Sequence, residues 1–147
     1  MTNDRRRATE GGLSCGTVQQ HRTVAIERRT EGAPLSECVF CRIAAGEVPA
    51  DVVAQDDDFV AFREVRPLAP LQLLVIPRAH VASLDEAEAL SPEASARALV
   101  FTAVTARSAG VAETGYRFVT NTGPHAGQEV MHLHWHVIGG TRLGGMV

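Results

Sequence analysis

The sequence predicts an α+β domain, with a five-stranded antiparallel sheet, one long helix and two short helices. Two observations support this fold class. Five short segments have the length and the turn boundaries of strands, and a single long helical pattern falls between the third and the fourth of them.

The first half of this domain alternates short elements with turns. Cys38–Ala45 (CVFCRIAA) ends at Gly46 and fits a helix of one or two turns. Strands are predicted over Asp51–Ala54 and Phe59–Glu64, because the Asp-rich turn Gln55–Asp58 separates them. Alternating residues of the second strand face opposite sides of the sheet, Phe59 and Ala61 on one and Val60 and Phe62 on the other.

The centre of the domain is the most apolar part. Leu71–Ile76 is the most continuous apolar stretch and predicts a central strand, which Pro77 ends. The long helix follows, with Ser91 as its N-cap, Pro92 at its first position and Gly110 at its far end. Two further strands are predicted after the helix, Tyr116–Asn121 and Val130–Ile138, with a Gly-rich loop (TGPHAGQ) between them.

Length and charge limit the classes of protein to consider. The 147 residues fit one globular domain, and no apolar run is long enough to cross a membrane. The net charge is -3, so we expect no nucleic-acid binding by charge alone. All 14 basic residues are Arg, which excludes a Walker-type phosphate loop and a Schiff-base lysine. Three Cys are too few for a disulfide scaffold, so we expect a cytosolic protein.

The charge also divides the chain into two regions. Residues 1–36 hold six Arg and four acidic residues, and they lack a sustained apolar period. We expect this segment to be a disordered tail, because it cannot bury enough apolar surface to offset its ordering entropy. Residues 37–147 carry the packed domain.

The segment VMHLHWHVI, residues 130–138, carries the strongest functional signal. Along a strand, His132, His134 and His136 would share one face, with ring-bearing positions about 6.6 Å apart. On the opposite face, four apolar side chains would pack under the long helix, Met131, Leu133, Trp135 and Val137. Three imidazoles together offer a nucleophile, proton donors and phosphate ligands with pKa values near neutral.

This segment resembles the histidine triad pattern, His-x-His-x-His followed by apolar residues. The segments ECVFCRIAAGEVPADVV, DDFVAFREVRPLAP, LLVIPRAH and GYRFVTNTGPHAGQEV are similar to the rest of that family in order and spacing, over residues 37–144. Gly139 and Gly140 after the triad resemble the Hint branch, the purine nucleoside phosphoramidases.

The resemblance implies nucleotidyl transfer at an α-phosphate. His134 would attack the phosphorus and carry the nucleotidyl group as a phosphoramide, which water then releases. His136 would hydrogen-bond a phosphate oxygen or the bridging atom. The family pattern places further phosphate contacts at Asn121 and in the segment Gly127, Gln128, Glu129 and Val130.

The resemblance also implies a nucleoside pocket. Four apolar residues would enclose the base, Val39, Phe40, Ile43 and Val48, although such residues in a short helix also suit an ordinary core. Glu64 matches the acid that binds the ribose hydroxyls, where the family more often has Asp. Glu129 stands where many Hint enzymes have a hydroxyl residue, and the chain ends in TRLGGMV without a Trp-Pro-rich segment. These departures leave the substrate preference open.

Cys38 and Cys41 form a Cys-x-x-Cys pair. Some members of the family combine this pair with two histidines, here His80 and His132, in a structural zinc site. The alternatives are an unligated pair and a redox pair.

The leading hypothesis is thus a nucleotide hydrolase for purine nucleoside phosphoramidates or related nucleotides. A dinucleoside polyphosphate hydrolase is an alternative, and so is a zinc-stabilised nucleotide-binding module with little turnover. We also expect a homodimer, because the family pairs the long helix and the strand before the triad across a two-fold axis. The helix face that would meet its copy carries Ala96, Leu99, Val100 and Ala103.

Overall fold

The computed structural model describes residues 37–145, so the predicted tail over residues 1–36 lies outside the described residues. The predicted fold class is confirmed, since five antiparallel strands form one sheet in the order β1-β2-β3-β5-β4. The helices and strands are α1 (Val39–Ala44), β1 (Val52–Gln55), β2 (Phe59–Arg63), β3 (Leu71–Pro77), α2 (Pro92–Ser108), β4 (Tyr116–Val119) and β5 (Trp135–Gly139). Short 3₁₀ segments occupy Leu84–Ala89 and Pro124–Ala126. Within residues 37–145, no helix combines the length and the hydropathy that a membrane crossing requires.

β3 lies at the centre of the sheet, as its largely apolar sequence predicts. All seven of its residues are buried, and it pairs with β2 on one side and β5 on the other. The sheet buries both faces, and the alternation predicted for β2 is confirmed. Phe59 and Ala61 join the core under α2, whereas Val60 and Phe62 join a second core that contains Phe40 of α1.

The ends of α2 follow its capping residues. The Ser91 Oγ accepts a hydrogen bond from the Ala94 N–H at 3.0 Å, and Pro92 occupies the first position. Beyond the last turn, Gly110 adopts a φ of 78°, the left-handed conformation that glycine takes without a Cβ penalty.

The prediction of a strand over residues 130–138 is wrong for its first half. β5 begins only at Trp135, so His132 and His134 precede it. The His132 N–H turns back to the Val130 carbonyl at 2.8 Å, and the Leu133 N–H bonds the Val81 carbonyl at 2.6 Å. These bonds take this part of the chain out of the sheet ladder, and the strand spacing therefore does not apply there.

The side-chain alternation nevertheless continues through this segment. Leu133, Trp135 and Val137 are buried in the core under α2. Met131 departs from the prediction, because it is 53% exposed at the turn. The histidine side is not a solvated strand face either, since His132 is 0% exposed and His134 6% exposed.

Candidate active site

An apolar cavity of about 560 Å³ opens between α1 and the end of β2. This volume lies in the range of small-molecule sites. All four residues predicted to enclose a base line it, Val39, Phe40, Ile43 and Val48. Because the cavity walls are mostly apolar, the site suits a flat ring system better than a charged group.

A second, more polar cavity of about 330 Å³ adjoins the first. His134, His136, Asn121 and Gly127 line it. Five residues line both cavities, Phe40, Glu64, Leu74, Glu129 and Val130. The two cavities therefore form one cleft, with an apolar half and a half that presents imidazoles and an amide.

Two acidic side chains stand at the junction of the two halves. Glu64 follows β2, and its Oε1 accepts a hydrogen bond from the Arg66 N–H at 3.1 Å. Glu129 is exposed and lines both halves of the cleft. Gln128 differs, because its buried side chain bonds the backbone of Ala82, Gly123 and Val130 and lines neither cavity. Its side chain stabilises the loop before the histidines.

Local hydrogen bonds determine the orientation of His134. Its Nδ1 lies 2.7 Å from the backbone oxygen of His132. Because a carbonyl oxygen only accepts, Nδ1 carries the hydrogen and Nε2 keeps its lone pair. The Thr120 hydroxyl donates to the His134 carbonyl at 2.8 Å, and the ring packs edge-on against Phe40 with centroids 5.3 Å apart. The ring therefore has a defined tautomer in the cleft.

His136 lies beside it on β5, with ring centroids 5.1 Å apart. Burial and the neighbouring His134 lower the pKa of His136, while the Glu64 carboxylate opposes that change. His136 is therefore predominantly neutral at pH 7. The buried Gln72 of β3 contacts its Nδ1 at 3.1 Å.

The four residues predicted as zinc ligands come together behind the cleft. Their ligand atoms all lie within 4.8 Å of one another. The His132 Nδ1 lies 3.4 Å from the Cys38 Sγ and 3.5 Å from the Cys41 Sγ, and the His80 Nδ1 lies 3.2 Å from the Cys41 Sγ. A tetrahedral zinc with Zn–S near 2.3 Å and Zn–N near 2.0 Å places sulfur and nitrogen about 3.5 Å apart. These residues fit that geometry.

The protonation chemistry of the cluster also suits a cation. The His132 Nε2 donates to the Pro77 carbonyl at 2.9 Å, which leaves Nδ1 as the ligating atom. Burial lowers the pKa of His132 to about 4, so its imidazole is neutral. Burial raises the pKa of Cys41 to about 11, and a hydrogen bond with Cys38 and the negative charge of a Cys38 thiolate add to the effect. A bound cation would stabilise the thiolates and so lower the pKa of Cys41.

Sequence analysis missed three residues of the site. Gln72 and Thr120 contact the histidines from β3 and from the end of β4, and Arg66 lines the polar half of the cleft. Gln72 interrupts an otherwise apolar run, and that polar residue at a central strand position was the available signal.

Fold and site together define a class of protein, and comparison with known families agrees. The chain belongs to the HIT domain family, whose model matches residues 45–143. It is 40% identical over 111 residues to the purine nucleoside phosphoramidase of Escherichia coli K12, covering 76% of this chain and 93% of that protein.

Solved structures agree with this assignment. A HIT family hydrolase from Legionella pneumophila is 41% identical with a TM-score of 0.68, covering 73% of this chain and 96% of the other. A HIT family hydrolase from Clostridium thermocellum is 34% identical with a TM-score of 0.71, covering 78% of this chain and 99% of the other. At the level of the family, these relatives support hydrolase activity.

Proposed function

We propose that this protein hydrolyses purine nucleoside phosphoramidates or related nucleotides at the α-phosphate, through a nucleotidyl group carried on His134. The observation that carries the proposal is the tautomer of His134, whose unprotonated Nε2 belongs to a ring lining the polar half of the cleft. The 40% identity to a purine nucleoside phosphoramidase supports the choice of substrate.

The reaction has two displacements. The His134 Nε2 attacks phosphorus, the bond from phosphorus to the leaving amine breaks, and the amine departs with a proton from an acid in the cleft or from solvent. Water then attacks the same phosphorus and loses a proton to solvent, the phosphorus–nitrogen bond breaks with its electron pair returning to the His134 Nε2, and the nucleoside monophosphate leaves. Asn121, the Gly127–Val130 segment and His136 stabilise the phosphate oxygens as their charge grows.

The apolar half of the cleft would hold the nucleoside. Val39, Phe40, Ile43 and Val48 enclose the base, and their positions around the 560 Å³ cavity support this assignment. Glu64, at the junction of the halves, accepts hydrogen bonds from the ribose hydroxyls. Glu129 lines both halves as well, and a carboxylate near the leaving group would favour a cationic amine over an anionic group.

Cys38, Cys41, His80 and His132 would hold a structural zinc. When bound, the metal supplies folding energy and takes no part in the displacement. The four ligands join α1, the segment after β3 and the turn before β5, which also positions His134 two residues beyond His132. The cytosol is the expected compartment, because a zinc site of this kind needs reduced cysteines.

The proposed assembly is a homodimer formed through α2 and β4. β4 is an edge strand of the sheet, and α2 exposes Leu99 and Val100 at 61% and 64%. Exposed apolar side chains on a helix and an open strand edge each favour pairing with a second copy.

A turnover screen tests the proposed function. Adenosine monophosphate joined to a simple amine, adenosine monophosphate joined to an acyl group, and a dinucleoside polyphosphate are compared by kcat/KM. The proposal expects the amine conjugate to be the best substrate. Preference for the dinucleotide would assign a dinucleoside polyphosphate hydrolase, and nucleotide binding without turnover of any of the three would indicate a binding module.

A further inference from the structure

Gln72 is a buried polar residue in the central strand, and its amide makes two hydrogen bonds. The Oε1 accepts from the Leu68 N–H at 2.7 Å, and the Nε2 contacts the His136 Nδ1 at 3.1 Å. Gln72 is 5% exposed and lines the polar half of the cleft.

These two contacts determine the direction of the amide. With the amide reversed, its NH₂ group would face the Leu68 N–H at 2.7 Å, which would place two donors in contact. The oxygen therefore faces Leu68, and the NH₂ group donates to the His136 Nδ1. A nitrogen that accepts carries no hydrogen, so the hydrogen of neutral His136 is on Nε2.

From this geometry we infer that Gln72 is a positioning residue, which holds His136 in the Nε2–H tautomer as a permanent hydrogen-bond donor to the cleft. The inference rests on the proposed function for the identity of the acceptor, an oxygen of the nucleotide phosphate. It adds that His136 donates to the phosphate as a neutral imidazole. A hydrogen on Nδ1 would face the Gln72 NH₂ group, and two donors would then be in contact.

This arrangement makes His136 a hydrogen-bond donor rather than the acid that protonates the leaving amine. Neutral imidazole with its hydrogen on Nε2 donates a hydrogen bond well, but it does not release that proton to an amine. Gln72 cannot relay a proton either, since an amide has no titratable group. The proton of the leaving group therefore comes from another acid or from water.

Nitrogen NMR of the histidine rings tests the inference in the full-length protein without substrate. Long-range proton–nitrogen correlation distinguishes a ring nitrogen that carries hydrogen from one that does not. For His136 we expect an unprotonated Nδ1 and a protonated Nε2 near pH 7.5. A protonated Nδ1 would overturn the inference, whatever the turnover screen shows.

The variant Gln72→Glu gives a second test of the inference. The carboxylate still accepts from the Leu68 N–H, but its other oxygen accepts rather than donates, so the His136 tautomer should invert to Nδ1–H. We expect kcat to fall by about a hundredfold, the scale of one lost transition-state donor, with a smaller change in KM. Gln55→Glu makes the same chemical change at an exposed residue of β1 and should leave both the tautomer and kcat unchanged.

A purely structural role predicts a different result. In that case Gln72→Glu would lower the melting temperature while the His136 tautomer stayed the same, and this outcome would also overturn the inference. If Gln72→Glu fails to fold, the spectrum of the wild-type protein still decides. If the tautomer is as inferred and no nucleotide is turned over, the proposed function fails while the Gln72 assignment remains.

Discussion

The Nδ1–H of His134 donates to the backbone carbonyl of His132 across 2.7 Å. The carbonyl thus belongs to the residue whose own ring lies against Cys38 and Cys41. One short turn thereby connects the group that can hold a metal with the ring that faces the cleft. Any displacement of His132 therefore changes the direction of the His134 Nε2 lone pair.

His134→Asn should reduce turnover to background. Asn cannot form a transferable phosphoramide, so the loss should be about 10⁴-fold or more, as for other removed nucleophiles. Fold and nucleotide affinity should persist, because the apolar half of the cleft is unchanged. Wild-type enzyme quenched in base during turnover should carry a nucleotidyl group on His134, which peptide mapping by mass spectrometry detects.

His136→Asn is the matched control for that variant. It removes one phosphate donor and leaves the nucleophile, so we expect a loss of about a hundred- to a thousandfold in kcat. Near wild-type turnover by His134→Asn, or a trapped group on another residue, would refute the covalent mechanism.

Cys41→Ser should lose both metal and stability. If the Cys38, Cys41, His80 and His132 cluster binds zinc, elemental analysis should find about one zinc per chain, since one tetrahedral site takes one ion. Structural zinc contributes directly to folding, so the variant and chelator-treated protein should melt at lower temperature. Metal-free wild-type protein with unchanged melting would contradict the zinc assignment.

Glu64→Gln tests the ribose contact. The amide keeps one acceptor and replaces the other by a donor, so the pair of hydroxyls loses a charge-assisted hydrogen bond. We expect kcat/KM for the ribonucleotide to fall about tenfold, with little change for the 2′-deoxy analogue. Equal losses for both sugars would show that Glu64 acts on the phosphate side instead.

Stability below pH 5 should depend on Asp56. Burial opposes ionisation of this carboxyl, but bonds from the Asp58 and Phe59 N–H groups and the charge of Arg97 outweigh it, so the pKa of Asp56 lies below its ordinary value. A lowered folded pKa gives stability that is present above the unfolded pKa and lost as the pH falls through the folded one.

Asp56→Asn should therefore lower the free energy of unfolding by about 0.5–1 kcal/mol at pH 7. The difference from wild type should shrink as the pH falls below about 4, where the unfolded carboxyl also takes up its proton. Urea denaturation at several pH values measures this. Asp57→Asn at the exposed neighbouring position is the control, and a difference that stays constant down to pH 3 would contradict the assignment.

Leu99→Glu should dissociate the proposed homodimer. A charge in the centre of an apolar helix face is costly to bury against a second copy. Light scattering should find a dimer for the wild type and a monomer for this variant. Val53→Glu on β1, at the opposite edge of the sheet from β4, should remain dimeric, and a wild-type protein that is monomeric at all concentrations would exclude this assembly.

Much of the fold follows from local pattern. The alternation in β2 determines which side chains enter each core, and Ser91 and Gly110 determine the ends of α2, because capping and burial depend on neighbouring residues. The histidine spacing likewise predicted that His134 and His136 share one side of the chain, and both line the same cavity.

Where β5 begins was decided only by the tertiary structure. Alternation of side chains persists in any extended segment, whether or not it pairs in a sheet, so the sequence predicted a strand from Val130. Pairing between β5 and β3 ends at Trp135, opposite Val75. Two residues further along β3, the Pro77 carbonyl accepts a hydrogen bond from the His132 ring instead of from a paired strand. A backbone group can serve either partner, and the choice depends on contacts distant in sequence.

The sequence also could not predict which side chain hydrogen-bonds His136. Gln72 and His136 are 64 positions apart, and they meet because β3 and β5 are neighbours in the sheet. A polar residue in an apolar strand signals a buried hydrogen bond, but which group receives it depends on sheet order. The sequence by itself determined the chemical groups of the site and the local turn that orients His134, whereas the packing of β3 against β5 determined the tautomer of His136.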